Sequence, residues 1–177
     1  MSGTPWKDYG LISYISQNVT DLGKTKLHKL VYLIKEVGKV PVGFNFRFYN
    51  YGPYSDNLAE TLDFVTSLQG VKMNYDSTAN MYEISAGENA AKLVEKATAE
   101  LEPNKPTIDG ILTAYGNKTA KELELITTIL YANKNYEAKS VEALTHTTKN
   151  LKPKFSLTEI RASIGQLQAS DLLSLTQ

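Results

Sequence analysis

The chain has 177 residues and no cysteine, and its 19 Lys and Arg balance 19 Asp and Glu, so the formal net charge is zero. That excludes disulfides, thiolate chemistry and sulfur-built zinc sites, and leaves no global field to draw the protein onto nucleic acid or anionic membrane. The longest apolar run, Leu30 to Ile34, is far too short to span a bilayer, and MSGTPWKDYG has no export-signal character, so the expected location is cytoplasmic.

Thr4-Pro5 opens a first helix, with Pro at the first helical position and Leu11, Ile12, Ile15 and Val19 on its inner stripe. A basic, apolar-rich helix follows, TKLHKLVYLIKEVG. Leu27, Leu30, Val31, Ile34 and Val37 recur in it at three- and four-residue spacing. Tyr32 and Leu33 fall off that stripe, so apolar surface wraps more than half the cylinder, which predicts packing on several sides. Gly38 offers a left-handed stop and Pro41 cannot continue the helix. In FNFRFYNYGPYS, Phe44, Phe46 and Phe48 alternate with Asn45 and Arg47, the pattern of a half-buried strand. Gly52-Pro53 reads as a structural turn. Glycine there permits angles that side chains forbid, and proline presets a helix with Ser55 and Asp56 in its first turn.

A third helix carries Leu58, Leu62, Val65 and Leu68 inward and stops at Gly70. VKMNYD and MYEIS, joined by the polar tip STAN, predict a β-hairpin. Ser85-x-x-Glu88 is a capping box for a helix that Pro103 ends. Ile108, Ile111, Leu112 and Tyr115 share a face of a short helix closed by Gly116. Thr119-x-x-Glu122 then caps a helix with Leu123, Ile126 and Leu130. A helix near 139–150 carries Val141 and Leu144, and Ser156-x-x-Glu159 caps the last one, with Leu157, Ile160, Ile164 and Leu167 inward. The fold class expected is α+β and mostly α-helical. A winged-helix-like lobe with its small hairpin spans 1–102, and a C-terminal helical lobe, 103–177, packs against it as one compact unit. The seam falls at Pro103 to Thr107.

The order helix, helix, strand, helix, hairpin makes a winged-helix regulator of nucleic acid the rival functional reading. The expected recognition helix, Ser55 to Gln69, has Asp56, Glu60 and Asp63 and neither Lys nor Arg, and the hairpin tip adds Asp76 and Glu83. Parts of that sign repel a duplex, which argues against specific nucleic acid. The basic residues sit on the second helix instead: Lys24, Lys26, Lys29, Lys35 and Lys39 against Glu36. They read either as a solvated face, their stems covering apolar neighbours, or as part of a binding edge. His28 reads as a packed or solvent-facing histidine. Phe44, Phe46 and Phe48 read as core, whereas Arg47, Tyr49, Tyr51 and Tyr54 are too many amphipathic groups for one strand and turn to bury. Tyrosine and arginine are what protein interfaces favour.

Catalytic signatures are missing. His28 and His146 lie in no zinc-binding spacing, and neither a phosphate loop nor a nucleophile elbow occurs. Glu122 and Glu124 point to different helix faces and read as capping or surface residues. Scattered acids leave a metal-dependent or glycosidase-type site open, and no residue is singled out for one.

Lys26-Leu27-x-Lys29-Leu30-x-Tyr32, then Tyr51-Gly52-Pro53, then a helix ending near Gly70, resembles the Panacea (SocA-like) domain and, within it, the uncharacterised YwgA-like branch. The resemblance covers residues 24–70 and is compatible to about 102. It implies a mainly helical, non-catalytic domain that acts by binding protein, in its best-understood members as an antitoxin neutralising a toxin. The functional expectation is therefore a protein-binding module, with a toxin as the implied partner. No cofactor, metal or membrane is expected, and self-association is left open. The candidate partner face is Lys26, Lys29, Tyr32, Arg47, Tyr49, Tyr51 and Tyr54, braced by the turn at Gly52 and Pro53.

Overall fold

The computed structural model describes residues 3–175, so the first two residues of the stretch read for an export signal lie outside it. The chain is mostly α-helical with two small antiparallel sheets, an α+β fold. Its elements are α1 (Trp6–Asn18), α2 (Lys24–Glu36), β1 (Arg47–Tyr49), β2 (Gly52–Tyr54), α3 (Asp56–Ser67), β3 (Val71–Asp76), β4 (Met81–Ala86) and α4 (Ala90–Leu101). A 3-10 turn, Glu102–Asn104, leads to α5 (Lys105–Tyr115), α6 (Ala120–Asn135), α7 (Val141–Leu151) and α8 (Leu157–Ala169). Among the described residues no helix is long and apolar enough to cross a membrane.

Packing divides these elements into two units. The first runs to Arg47 and resumes over Tyr54–Ala120; the second is Phe48–Pro53 and the chain from Lys121 onward. The seam read at Pro103 to Thr107 thus falls inside the first unit. Pro103 does end α4, but the chain makes one tight turn and re-enters a helix without leaving that unit.

In the first unit Leu11, Ile12, Ile15, Leu27, Leu30, Val31, Leu33, Ile34, Leu58, Leu62 and Val65 are buried, which is the core that the helical periodicity predicted. Leu68, expected inward, is half-buried in the turn that ends α3. α1 packs most extensively on α4. The two approach so closely that a Cβ on Gly10 would lie 2.3 Å from the Ala97 Cβ. The expected hairpin forms as β3–β4, with Val71 opposite Ala86 and Tyr75 opposite Tyr82. It is tied to the chain before α2 by the Ile84 amide donating to the Leu22 carbonyl at 2.7 Å.

Several local expectations are corrected. Ser85 lies within β4 and does not cap a helix; α4 begins at Ala90 after Asn89. Sheet pairing to Lys72 claims that serine, and a capping pattern within a strand has no helix end to serve. The left-handed residue after α2 is Lys39, φ 55°, rather than Gly38. Gly38 is needed for closeness instead, since a Cβ there would meet Ile34 O at 2.7 Å and Ile111 Cδ1 at 2.8 Å. Phe44 is buried as expected, but Phe46 and Phe48, read as core, are only half-buried, and only Arg47–Tyr49 pairs as strand. Gly52 and Pro53 form strand β2 and do not open a helix. Ser55 is the N-cap of α3, its hydroxyl accepting from the Leu58 amide at 3.2 Å.

In the second unit Leu123, Ile129, Leu144, Phe155, Ile160 and Ile164 form the centre. α8 starts with the complete capping box of Ser156 and Glu159 that the sequence predicted. Leu157, expected inward, is half-buried.

Candidate functional site

The β1–β2 hairpin carries the candidate residues in two groups. Its base belongs to the first unit. Arg47 Nε and Nη2 donate to the two carboxylate oxygens of Asp56 at 2.8 and 3.0 Å, a fork-to-fork pair that holds the Asp56 carboxyl below its usual range. The Tyr54 ring stacks on His28, centroids 4.4 Å apart and nearly parallel, and the Arg47 guanidinium lies 5.5 Å from the same ring. His28 is buried, and its Nδ1 accepts from the Ser55 amide at 3.2 Å, which places the ring proton on Nε2. Burial, then the nearby Lys29 charge, pushes its pKa down to about 4, so it is neutral at pH 7. His28 is therefore a brace between α2 and the start of α3.

The tip of the hairpin belongs to the second unit. Gly52 has φ 91°, a conformation that favours glycine, and so permits the chain to reverse through Asn50 and Tyr51. Phe48 leans on Tyr131, ring centroids 5.4 Å apart. Tyr49 and Tyr51 are 47% and 60% exposed. Beneath them lies Glu124, 3% exposed, with Lys154 Nζ at 2.6 Å from Oε2 and Lys152 Nζ at 3.0 Å from Oε1. The second approach is an ion pair by distance without hydrogen-bond angles, so Oε1 is held by charge alone. The Lys152 ammonium donates to the Asn50 carbonyl and lies 5.3 Å from the Phe48 ring. One buried lysine thus fastens the turn and neutralises the carboxylate.

Three of the proposed face residues are misplaced by the sequence reading. Lys26, Lys29 and Tyr32 are 5%, 1% and 2% exposed, so none can act as a rim contact. Lys26 Nζ donates to the Thr20 carbonyl at 3.3 Å, and burial lowers its pKa; Tyr32 packs edge-on to Phe46 at 5.2 Å. The physical reason is that α2 is buried at every position from Lys26 to Ile34, leaving no solvated face in that span. Wrapped apolarity had signalled this for the hydrophobic positions and applies equally to the lysines between them. Conversely, Glu124 was read as a capping or surface residue and is buried. Its position in the apolar-rich stretch LELITTIL, Leu123 to Leu130, where it is the only charged residue, was the available signal.

A third polar cluster lies apart from the hairpin in the first unit. The Tyr14 hydroxyl donates to Asp109 Oδ1, and Lys105 Nζ is 3.5 Å from Oδ2. Burial, then that carboxylate, raises the tyrosine pKa, so the phenol stays protonated. Among the described residues no three of His, Asp and Glu gather as a metal-ligand set.

No known protein-family model matches this chain. Over 123 residues it is 24% identical to the uncharacterized protein YwgA of Bacillus subtilis (strain 168), a stretch covering 68% of this chain and 71% of that protein. This supports a YwgA-like relationship and does not reach as far as the Panacea domain.

Proposed function

We propose that this chain is a non-catalytic, cytoplasmic protein-binding module of antitoxin type, and that the tip of the β1–β2 hairpin is its contact surface. The observation that supports this reading is the pairing of exposed tyrosines with a buried anchor. Tyr49 and Tyr51 reach solvent from a turn that Lys152 and Gly52 hold in one conformation. Large aromatic side chains on a fixed backbone give contact area at low entropic cost, the property of interface anchors. The nucleic-acid reading gains no such support, because Asp56, Glu60 and Asp63 are exposed along α3, which has neither Lys nor Arg.

The test is co-expression with the adjacent reading frame. That frame alone should halt growth, this chain should restore it, and Tyr49→Ala or Tyr51→Ala should abolish rescue at an unchanged melting temperature. A harmless neighbouring frame, or tyrosine variants that still rescue, would overturn the proposal. Lys26→Ala and Lys29→Ala, buried as they are, should lower the melting temperature rather than merely weaken rescue.

A further inference from the structure

Glu124 has two ammonium partners where one would neutralise it, so the cluster of Glu124, Lys152 and Lys154 carries one surplus positive charge. Lys152 spends its charge inside, against the Asn50 carbonyl and Glu124, and is 6% exposed. The surplus therefore emerges at Lys154, whose side chain is 48% exposed. Its ammonium lies 5.9 Å from the ring of Tyr51 and 5.2 Å from that of buried Phe155. Lys121, on the exposed first turn of α6, brings a second ammonium to 5.9 Å from the same Phe155 ring. Two cations thus flank one buried aromatic platform, with an exposed tyrosine beside them.

An ordinary surface lysine loses rotamer freedom when a partner fixes it. Lys154 has been fixed already by the buried carboxylate, which lowers the entropic cost of using it. We propose that Tyr51, Lys154 and Lys121 form a docking surface for an acidic peptide segment of the protein partner, its carboxylates meeting the two ammonium groups while Tyr51 supplies apolar contact. This rests on the reading of the hairpin tip as the contact surface and specifies the charge of what it meets. Neighbouring acids temper the field without removing it: Glu124 is buried between two lysines, Glu122 stands exposed on α6, and Glu159, which accepts from the Ser156 amide at 2.8 Å, keeps a charge that Lys121 and Lys149 share between them. Two cations beside one tyrosine suit a short acidic stretch; a nucleic acid asks for a longer basic track along its phosphates.

Fluorescence anisotropy with the full chain and a fluorescein-labelled deca-glutamate peptide at low salt tests this, with deca-lysine and oligothymidylate as comparison probes. Deca-glutamate should bind, deca-lysine should not, and Lys154→Glu should weaken binding by roughly tenfold or more, as loss of a close charge contact does. Lys154→Met removes the charge while keeping the stem, and should weaken binding with a circular-dichroism melt lowered by no more than about 4 °C. Lys72→Glu, on the exposed face of β3 in the other unit, should have no effect. The proposal falls if deca-glutamate does not bind, if Lys72→Glu weakens it as much as Lys154→Glu, or if oligothymidylate binds more tightly with the same Lys154 dependence. Should Tyr51→Ala abolish growth rescue while deca-glutamate fails to bind, the hairpin remains the contact surface and only its acidic partner is overturned. Lys154-dependent peptide binding alongside a neighbouring frame that is harmless when expressed alone would support the acidic docking surface and overturn the antitoxin reading.

Discussion

Replacing Lys152 with methionine keeps the length and apolar stem of the side chain and deletes only its ammonium. Two acceptors lose a partner, the part-buried Asn50 carbonyl and the buried Glu124 Oε1. A buried acceptor left unpaired costs about 1–3 kcal/mol. Glu124 keeps Lys154 at 2.6 Å, so the larger penalty for an orphaned buried charge is not incurred in full. The expected loss is about 3 kcal/mol, which at this chain length lowers the melting temperature by on the order of 10 °C. Lys154→Met should cost about 1 kcal/mol or less, because that side chain is half exposed and Lys152 still neutralises Glu124. Salt should shrink the second effect and leave the first, since buried pairs are poorly screened. Urea unfolding followed by far-ultraviolet circular dichroism, at low and high salt, measures both. The lone tryptophan, Trp6, lies in the first unit and would follow the wrong part of the chain. Equal losses for the two variants, or a salt-sensitive Lys152→Met, would refute the assignment of Lys152 as the anchor of the turn.

Gly52→Val should destabilise the fold by about 1–3 kcal/mol because φ is 91° there, and an unchanged thermal melt would show that the turn tolerates a side chain. Gly10→Val should cost at least about 1–3 kcal/mol by forcing α1 from Ala97, read by the same melt; a neutral effect would contradict the close packing of α1 on α4. His28 has a folded pKa of about 4, below its unfolded value of 6.5, so the unfolded chain binds more protons between those values. Stability should therefore fall as pH drops from 6.5 toward 4, by on the order of 3 kcal/mol in total. The slope should flatten in His28→Gln when urea midpoints are measured across that window, and an identical slope in the variant would assign the acid sensitivity to other groups.

The helices and the β3–β4 hairpin were legible in the residues because their signals are local. Three- and four-residue spacing marks the inner faces of α1, α2 and α3, strict alternation marks β3, and Ser156 with Glu159 meets its partners within one turn. The exposed tyrosines were legible too, since a three-residue strand and a two-residue turn cannot hide that many rings. What only the tertiary structure decided is which polar groups are inside. Lys26 and Lys29 share a composition with solvated lysines, and they are buried because neighbours enclose α2 on every side. Ser85 carries a capping pattern that β-pairing to Lys72 overrides. Glu124 and Lys152 are separated by the length of α6 and α7 and become partners only when Phe48–Pro53 and the last helices assemble in one unit. Periodicity reports how one segment divides water from apolar contact. It carries no record of which distant segment supplies the counter-charge, and that pairing sets the conformation of the hairpin tip.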